Sequence, residues 1–121
     1  YGENCLANYK DLVVWQRAVD LSVEIYRLVK KLPKEETYAL SDQMRRAAVS
    51  IPSNIAEGKS RSSEKEFSYF LGIAKGSRAE LETQLQICKR IGYLNEEDTK
   101  TAFGLLVEVE KMLVKLQAAI K

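Results

Sequence analysis

Apolar residues recur every three or four positions along almost the whole chain, and that period constrains the fold more than any other feature of the sequence. It is clearest near the C-terminus. Ala102, Leu106, Val109, Leu113, Leu116 and Ile120 follow one another in alternating fours and threes, the seam of a left-handed helical bundle. Three further stretches carry the helical period. The first spans Tyr9 to Leu32, where Gln16, Asp20, Glu24, Arg27 and Lys31 form one polar stripe and most other positions are apolar. So wide an apolar surface predicts contacts beyond the bundle's own helices. The second opens at Ser41, read as an N-cap, with Leu40, Met44, Ala47, Ala48, Ile51 and Ile55 on its apolar face. The third starts at Ser63, where Ser63 and Glu66 have the spacing of a capping box, and continues through Phe67, Phe70, Leu71, Ala74, Leu81, Leu85 and Cys88.

The breaks between these stretches are short. Pro33 closes the first, Gly58 and Ser60 to Ser63 separate the second from the third, and Gly92 suits a left-handed C-cap before Asn95 caps the last. Short connections place consecutive helices antiparallel. The expected fold is an all-α, antiparallel, up-down-up-down four-helix bundle over residues 9–121, behind a flexible tail at 1–8. Pro52 falls inside the second helix. It has no N–H and crowds the carbonyl four residues back, so an interruption or kink is expected there. Gly72 and Gly76, one turn apart in the third helix, each cost about 1 kcal/mol against alanine, which predicts a close neighbouring helix.

The chain contains no histidine. That removes Ser-His and Cys-His nucleophilic catalysis, imidazole haem ligation and the Glu-x-x-His sites of di-iron bundles. Cys5 and Cys88 are the only cysteines, too few for a structural zinc site and not the pattern of a disulfide framework. Glycine-rich phosphate loops are missing. No enzyme activity, cofactor, metal or small-molecule substrate is therefore expected. No apolar run approaches the roughly 20 residues of a membrane helix, and Tyr1 to Asn8 lacks the pattern of a secretory signal. A cytoplasmic protein without membrane contact is the expectation.

The least ordinary stretch is Arg45 to Lys59, which combines adjacent arginines, an intrahelical proline and the polar group Ser50, Ser53, Asn54 and Glu57. Structurally, Ser50 or Asn54 would satisfy the backbone freed by Pro52, and Arg46 would pair with a carboxylate on a neighbouring helix. Functionally, Arg45, Arg46, Lys59, Arg61 and Lys65 would form a contact surface for phosphate or a partner. Glu80 and Glu82 are candidate partners for Arg45 or Arg46, and only a pocket lined by Glu57, Glu80 and Glu82 would suggest catalysis. The net charge of +2 is a mild basic balance.

Three blocks carry a resemblance. Tyr9-Lys10-Asp11-Leu12-Val13-Val14-Trp15-Gln16-Arg17-Ala18, Ser50-Ile51-Pro52-Ser53-Asn54-Ile55-Ala56-Glu57-Gly58 and Gly76-Ser77-Arg78-Ala79-Glu80-Leu81 resemble, in order, the bacterial four-helix-bundle family encoded in intervening sequences of 23S ribosomal RNA genes. The resemblance implies a bundle that assembles into a homopentameric ring. A related branch, the accessory variability determinant of diversity-generating retroelements, partners a reverse transcriptase and binds nucleic acid. That branch is notably basic, and this chain at +2 departs from it. The resemblance thus leaves two readings: an oligomeric bundle that binds RNA or a nucleoprotein partner, or a protein-interaction scaffold with no nucleic-acid binding.

Overall fold

The computed structural model describes residues 8–120. Four helices account for nearly all of them: α1 (Val13–Val29), α2 (Leu40–Lys59), α3 (Glu64–Ile91) and α4 (Glu96–Ala119). Short 3-10 turns at Tyr9–Asp11 and Lys34–Glu36 precede α1 and α2, and no strand occurs among the described residues. The tail expected over residues 1–8 lies, apart from Asn8, outside the described residues, and so does Cys5.

The helix ends follow local chemistry. Asn8 accepts from the Lys10 amide and starts the first 3-10 turn, so α1 begins at Val13 and not at Tyr9. Ser63 accepts from the Glu66 amide at the start of α3, but Glu66 does not return the bond to the Ser63 backbone. The complete reciprocal box is at α4, where Asn95 accepts from the Asp98 amide at 2.8 Å and Asp98 accepts from the Asn95 amide at 2.9 Å. Gly92 ends α3 at a φ of 98°, a left-handed conformation that a side chain would strain. Ser41 is not a cap. Helix α2 starts one residue earlier, Ser41 is buried, and the half-buried Leu40 amide donates to the Glu36 carboxylate of the preceding turn.

Each helix packs on two neighbours, α1 on α2 and α4, α3 on α2 and α4. Along α2 and α3, Met44 meets Cys88, Ser50 meets Ser77 and Gly58 meets Phe67 and Phe70. Along α1 and α4, Arg17 reaches Glu108 and Lys31 reaches Asp98. Rising numbers on one helix match falling numbers on the other, the order of antiparallel neighbours. The shared core includes Leu21, Ile25, Leu28, Met44, Ile51, Ile55, Leu71, Leu81, Leu85, Leu106 and Leu113, all essentially inaccessible. Each such side chain contributes about 1.5–3 kcal/mol relative to exposure. Trp15 is not among them. It is half-buried at the edge of the core and meets the Tyr9 ring edge-on at 5.4 Å.

Helix α2 continues unbroken through Pro52. The carbonyl that loses its donor is Ala48 O, and it is taken by Ser22 of α1, whose Oγ lies 3.0 Å away and 3.1 Å from Ala18 O. The repair expected of Ser50 or Asn54 therefore comes from another helix. Gly58, expected in a loop, is the buried last turn of α2, and a Cβ there would stand 2.8 Å from Phe70 Cβ. The close approach expected at Gly72 and Gly76 is instead made at Gly58. A Cβ at Gly72 would meet only Gln117 Nε2, at 3.7 Å, and one at Gly76 would meet nothing.

Candidate nucleic-acid and partner interface

The five basic residues singled out by the sequence fall at opposite ends of the bundle. Arg45 and Arg46 lie near the start of α2, whereas Lys59 ends it, Arg61 follows in the loop and Lys65 opens α3. The fourteen helical steps from Arg45 to Lys59 span about 21 Å. They do not form one patch.

At the first end, Arg46 pairs with Asp42 at 3.0 Å within its own helix and not with a neighbouring one. Arg45 donates to Thr37 O at 3.2 Å, stands 4.0 Å from Asp42 and lies 6.0 Å from the Tyr26 ring centre. Tyr26, Asp42, Arg45, Arg46, Val49 and Ser50 line an open groove of about 480 Å³. At the other end, Lys59 lies over Phe67 at 5.6 Å and Arg61 over Phe70 at 5.0 Å, contacts in which the ring faces attract the cations. Arg61 also pairs with Glu57 at 2.6 Å. Lys65 is exposed and has no carboxylate within ion-pair distance among the described residues. Exposed pairs of this kind contribute about 0–1 kcal/mol, so an incoming phosphate could displace them.

Of the two glutamates expected to partner Arg45 or Arg46, Glu82 is engaged by Arg78 within α3, and Glu80 is exposed with no ion pair among the described residues. Neither pairs with Arg45 or Arg46. Two of the three blocks that carry the resemblance nevertheless meet. Ser50 Oγ is 2.7 Å from Ser77 Oγ, and Asn54 Nδ2 donates to Ser50 O at 2.8 Å. Next to Ser77, Arg78 has an 11% exposed side chain and holds α3 to α4. It donates to Leu106 O at 3.3 Å and to Glu82 at 3.0 Å, and its Nε is 2.9 Å from Glu110 Oε1, though poorly aligned for a hydrogen bond. Ser50 with Ser77, and Arg78 with Leu106 and Glu110, thus join helices, while Asn54 braces Ser50 within α2.

Charge pairs also fasten the end of the bundle where α3 turns into α4. The capping bond from the Asn95 amide, reinforced by Lys31, holds the Asp98 carboxyl below its ordinary range. Lys89 does the same for Glu96. Tyr93 donates to Glu36 at 2.9 Å, and that bond raises the phenol's pKa. Burial pushes the Cys88 thiol up to about 11, so it packs as an apolar group against Met44.

Apolar surface is left exposed on α1, as expected, and also on α3. Helix α1 buries Val14, Ala18, Leu21, Ile25, Leu28 and Val29 inside the bundle, leaving Val13, Val23 and Tyr26 exposed. The outward face of α3 carries Tyr69, Ile73, Ile87 and Ile91, all exposed, with the open Gly72 and Gly76 between them. Tyr69, Ile73, Gly76, Glu80, Thr83 and Ile87 follow alternating fours and threes, a second seam on the side of α3 away from the core. A groove of about 720 Å³ borders it, lined by Lys65, Ser68, Tyr69, Gly72, Ile73 and Gln117. The signal was present in the spacing but was masked by the stronger inner seam. Among the described residues no helix is long and apolar enough to cross a membrane.

A four-helix bundle with an apolar outer seam and basic residues at both ends defines the class. Residues 10–115 match the family described as 23S rRNA-intervening sequence protein, and the chain belongs to that family. It is similar to a solved structure from Bacteroides thetaiotaomicron VPI-5482, a protein of unknown function from the S23 ribosomal protein family. The identity is 28%, the match covers 86% of this chain and 97% of that one, and the TM-score is 0.80. No curated protein matches the sequence.

Proposed function

We propose that this protein is a non-enzymatic, cytoplasmic bundle that assembles with copies of itself, as the ring of five implied by the family, and binds RNA or a nucleoprotein partner such as a reverse transcriptase. The outer seam of α3 carries the self-assembly half of this reading. Four exposed apolar side chains share that face with two glycines whose missing side chains serve no contact inside the chain. Removing the seam from water against another copy would supply both the burial and the close approach that helical glycines favour. Five copies at +2 each would bring about +10 together, enough for salt-dependent attraction to phosphate.

The binding half is tested by titrating structured RNA into the protein at several salt concentrations. Affinity that falls steeply with salt is the expected result. No affinity at low salt, or affinity indifferent to salt, contradicts RNA binding. In that case the protein is a protein-interaction scaffold. The pairing of Arg46 with Asp42 and Arg61 with Glu57 favours this second reading.

A further inference from the structure

We infer that, of the two basic ends, the α1–α2 groove is the one that takes RNA, and that it takes unpaired bases, stacked on Tyr26 and Tyr38 with phosphates on Arg46. The inference rests on the RNA reading above and assigns its site. Tyr38 is 95% exposed in the connection before α2, and Tyr26 is 48% exposed on α1. Arg45 joins them, donating to Thr37 O beside Tyr38 and lying over the Tyr26 ring. Bases of any sequence stack on such rings, whereas paired bases in a duplex keep their faces covered.

Charge supports the same occupant. Arg45 and Arg46 share the single carboxylate of Asp42, which leaves the groove with one positive charge in excess, and the Arg46 side chain is 79% exposed. Such a rim complements a polyanion. A dry protein contact would have to desolvate all three charges. At the opposite end Phe67 and Phe70 are half-buried, and the exposed Tyr69 lies on the α3 seam assigned above to self-assembly. That end can attract phosphate but leaves no exposed ring outside that seam on which to stack a base.

The test is fluorescence anisotropy with a labelled twelve-nucleotide single-stranded RNA and the matching duplex, using the full chain. The single strand is expected to bind more tightly. Tyr38→Ala and Tyr26→Ala should each weaken it about ten-fold, while Tyr38→Phe retains affinity. Arg46→Gln should reduce the slope of log affinity against log salt by about one. Circular dichroism checks that the variants fold, which Tyr38→Ala will do if its exposed ring supports nothing. If the tyrosine variants bind like wild type while Lys59→Gln with Lys65→Gln weakens binding, this site is wrong and the RNA reading stands. If the duplex binds as tightly as the strand, stacking is refuted. If Tyr38→Ala lowers the mass of the assembly, a second copy covers the ring and the inference fails. If wild type binds neither RNA at low salt, the RNA reading falls and takes this site with it.

Discussion

Replacing Gly58 with alanine sets two opposed effects against each other, and the structure gives their balance. Alanine in a helix gains about 1 kcal/mol over glycine. At Gly58, however, the added Cβ would stand 2.8 Å from Phe70 Cβ, 3.0 Å from Phe67 Cδ1 and 3.3 Å from Phe67 O. Neither a Cβ nor a backbone oxygen can rotate away, so α2 and α3 must separate where they now pack closest. Overpacking of this kind costs about 1–3 kcal/mol. The net expectation is a loss of about 1 kcal/mol, or roughly 3–5 °C in Tm for a chain of this size. Gly104→Ala is the control, because a Cβ there meets nothing within 4 Å. It should gain up to about 1 kcal/mol. Urea denaturation followed by circular dichroism separates the two by about 2 kcal/mol. If Gly58→Ala proves as stable as Gly104→Ala, the close packing of α2 on α3 is misplaced.

Three further outcomes follow from named contacts. Ser22→Ala leaves the Ala48 carbonyl without its donor and should cost about 1–3 kcal/mol; in a Pro52→Ala background, where residue 52 regains an N–H, the cost should shrink, and equal costs in the two backgrounds would disprove the coupling. Asp98 has a depressed folded pKa, so its contribution is present above the unfolded carboxylate range and is lost as pH falls through the folded value. Asp98→Asn should therefore flatten the acid limb of the stability-pH curve below about pH 4, and an unchanged limb would show that the cap does not titrate with unfolding. In a Cys5→Ser protein, Cys88 should resist a thiol reagent until the chain unfolds, since the thiol is buried with a pKa of about 11; rapid labelling of native protein would refute its burial.

The helices were legible in the sequence because each carries its own period, and several caps because their chemistry is local. The caps at Gly92 and Asn95, both expected, bond only to residues within a few positions of themselves. Where an end is stabilised from outside the helix, the sequence misled. Ser41 has the composition of a cap, yet Glu36 takes the Leu40 amide and Ser41 turns inward. The same holds at Pro52, whose orphaned carbonyl is satisfied 26 residues away in sequence, by Ser22. Glycine shows the limit most clearly. Gly58 near a serine-rich loop looked like punctuation, and Gly72 and Gly76 looked like packing positions, but only the assembled helices show which glycine faces a neighbour.

The basic residues were legible as a set but not as a surface. Proximity along the chain suggested that Arg45 to Lys65 act together, yet the length of α2 carries them to opposite ends of the bundle. Their neighbours then differ in kind. Exposed tyrosines accompany Arg45 and Arg46, while half-buried phenylalanines lie beneath Lys59 and Arg61. No local pattern in the sequence distinguishes those environments, because each is made by a different helix.

Self-assembly through the α3 seam is tested most directly by light scattering on the intact chain at micromolar concentration, beside Gly76→Ala. Five copies of 13.7 kDa give about 68 kDa, the mass expected of wild type. The alanine variant should keep its helical content, since the single bundle leaves room for the methyl group, and should assemble less well if a neighbouring helix lies against Gly76. A wild-type mass of one chain would contradict self-assembly, and a variant that assembles as tightly as wild type would remove the α3 seam as the place where copies meet.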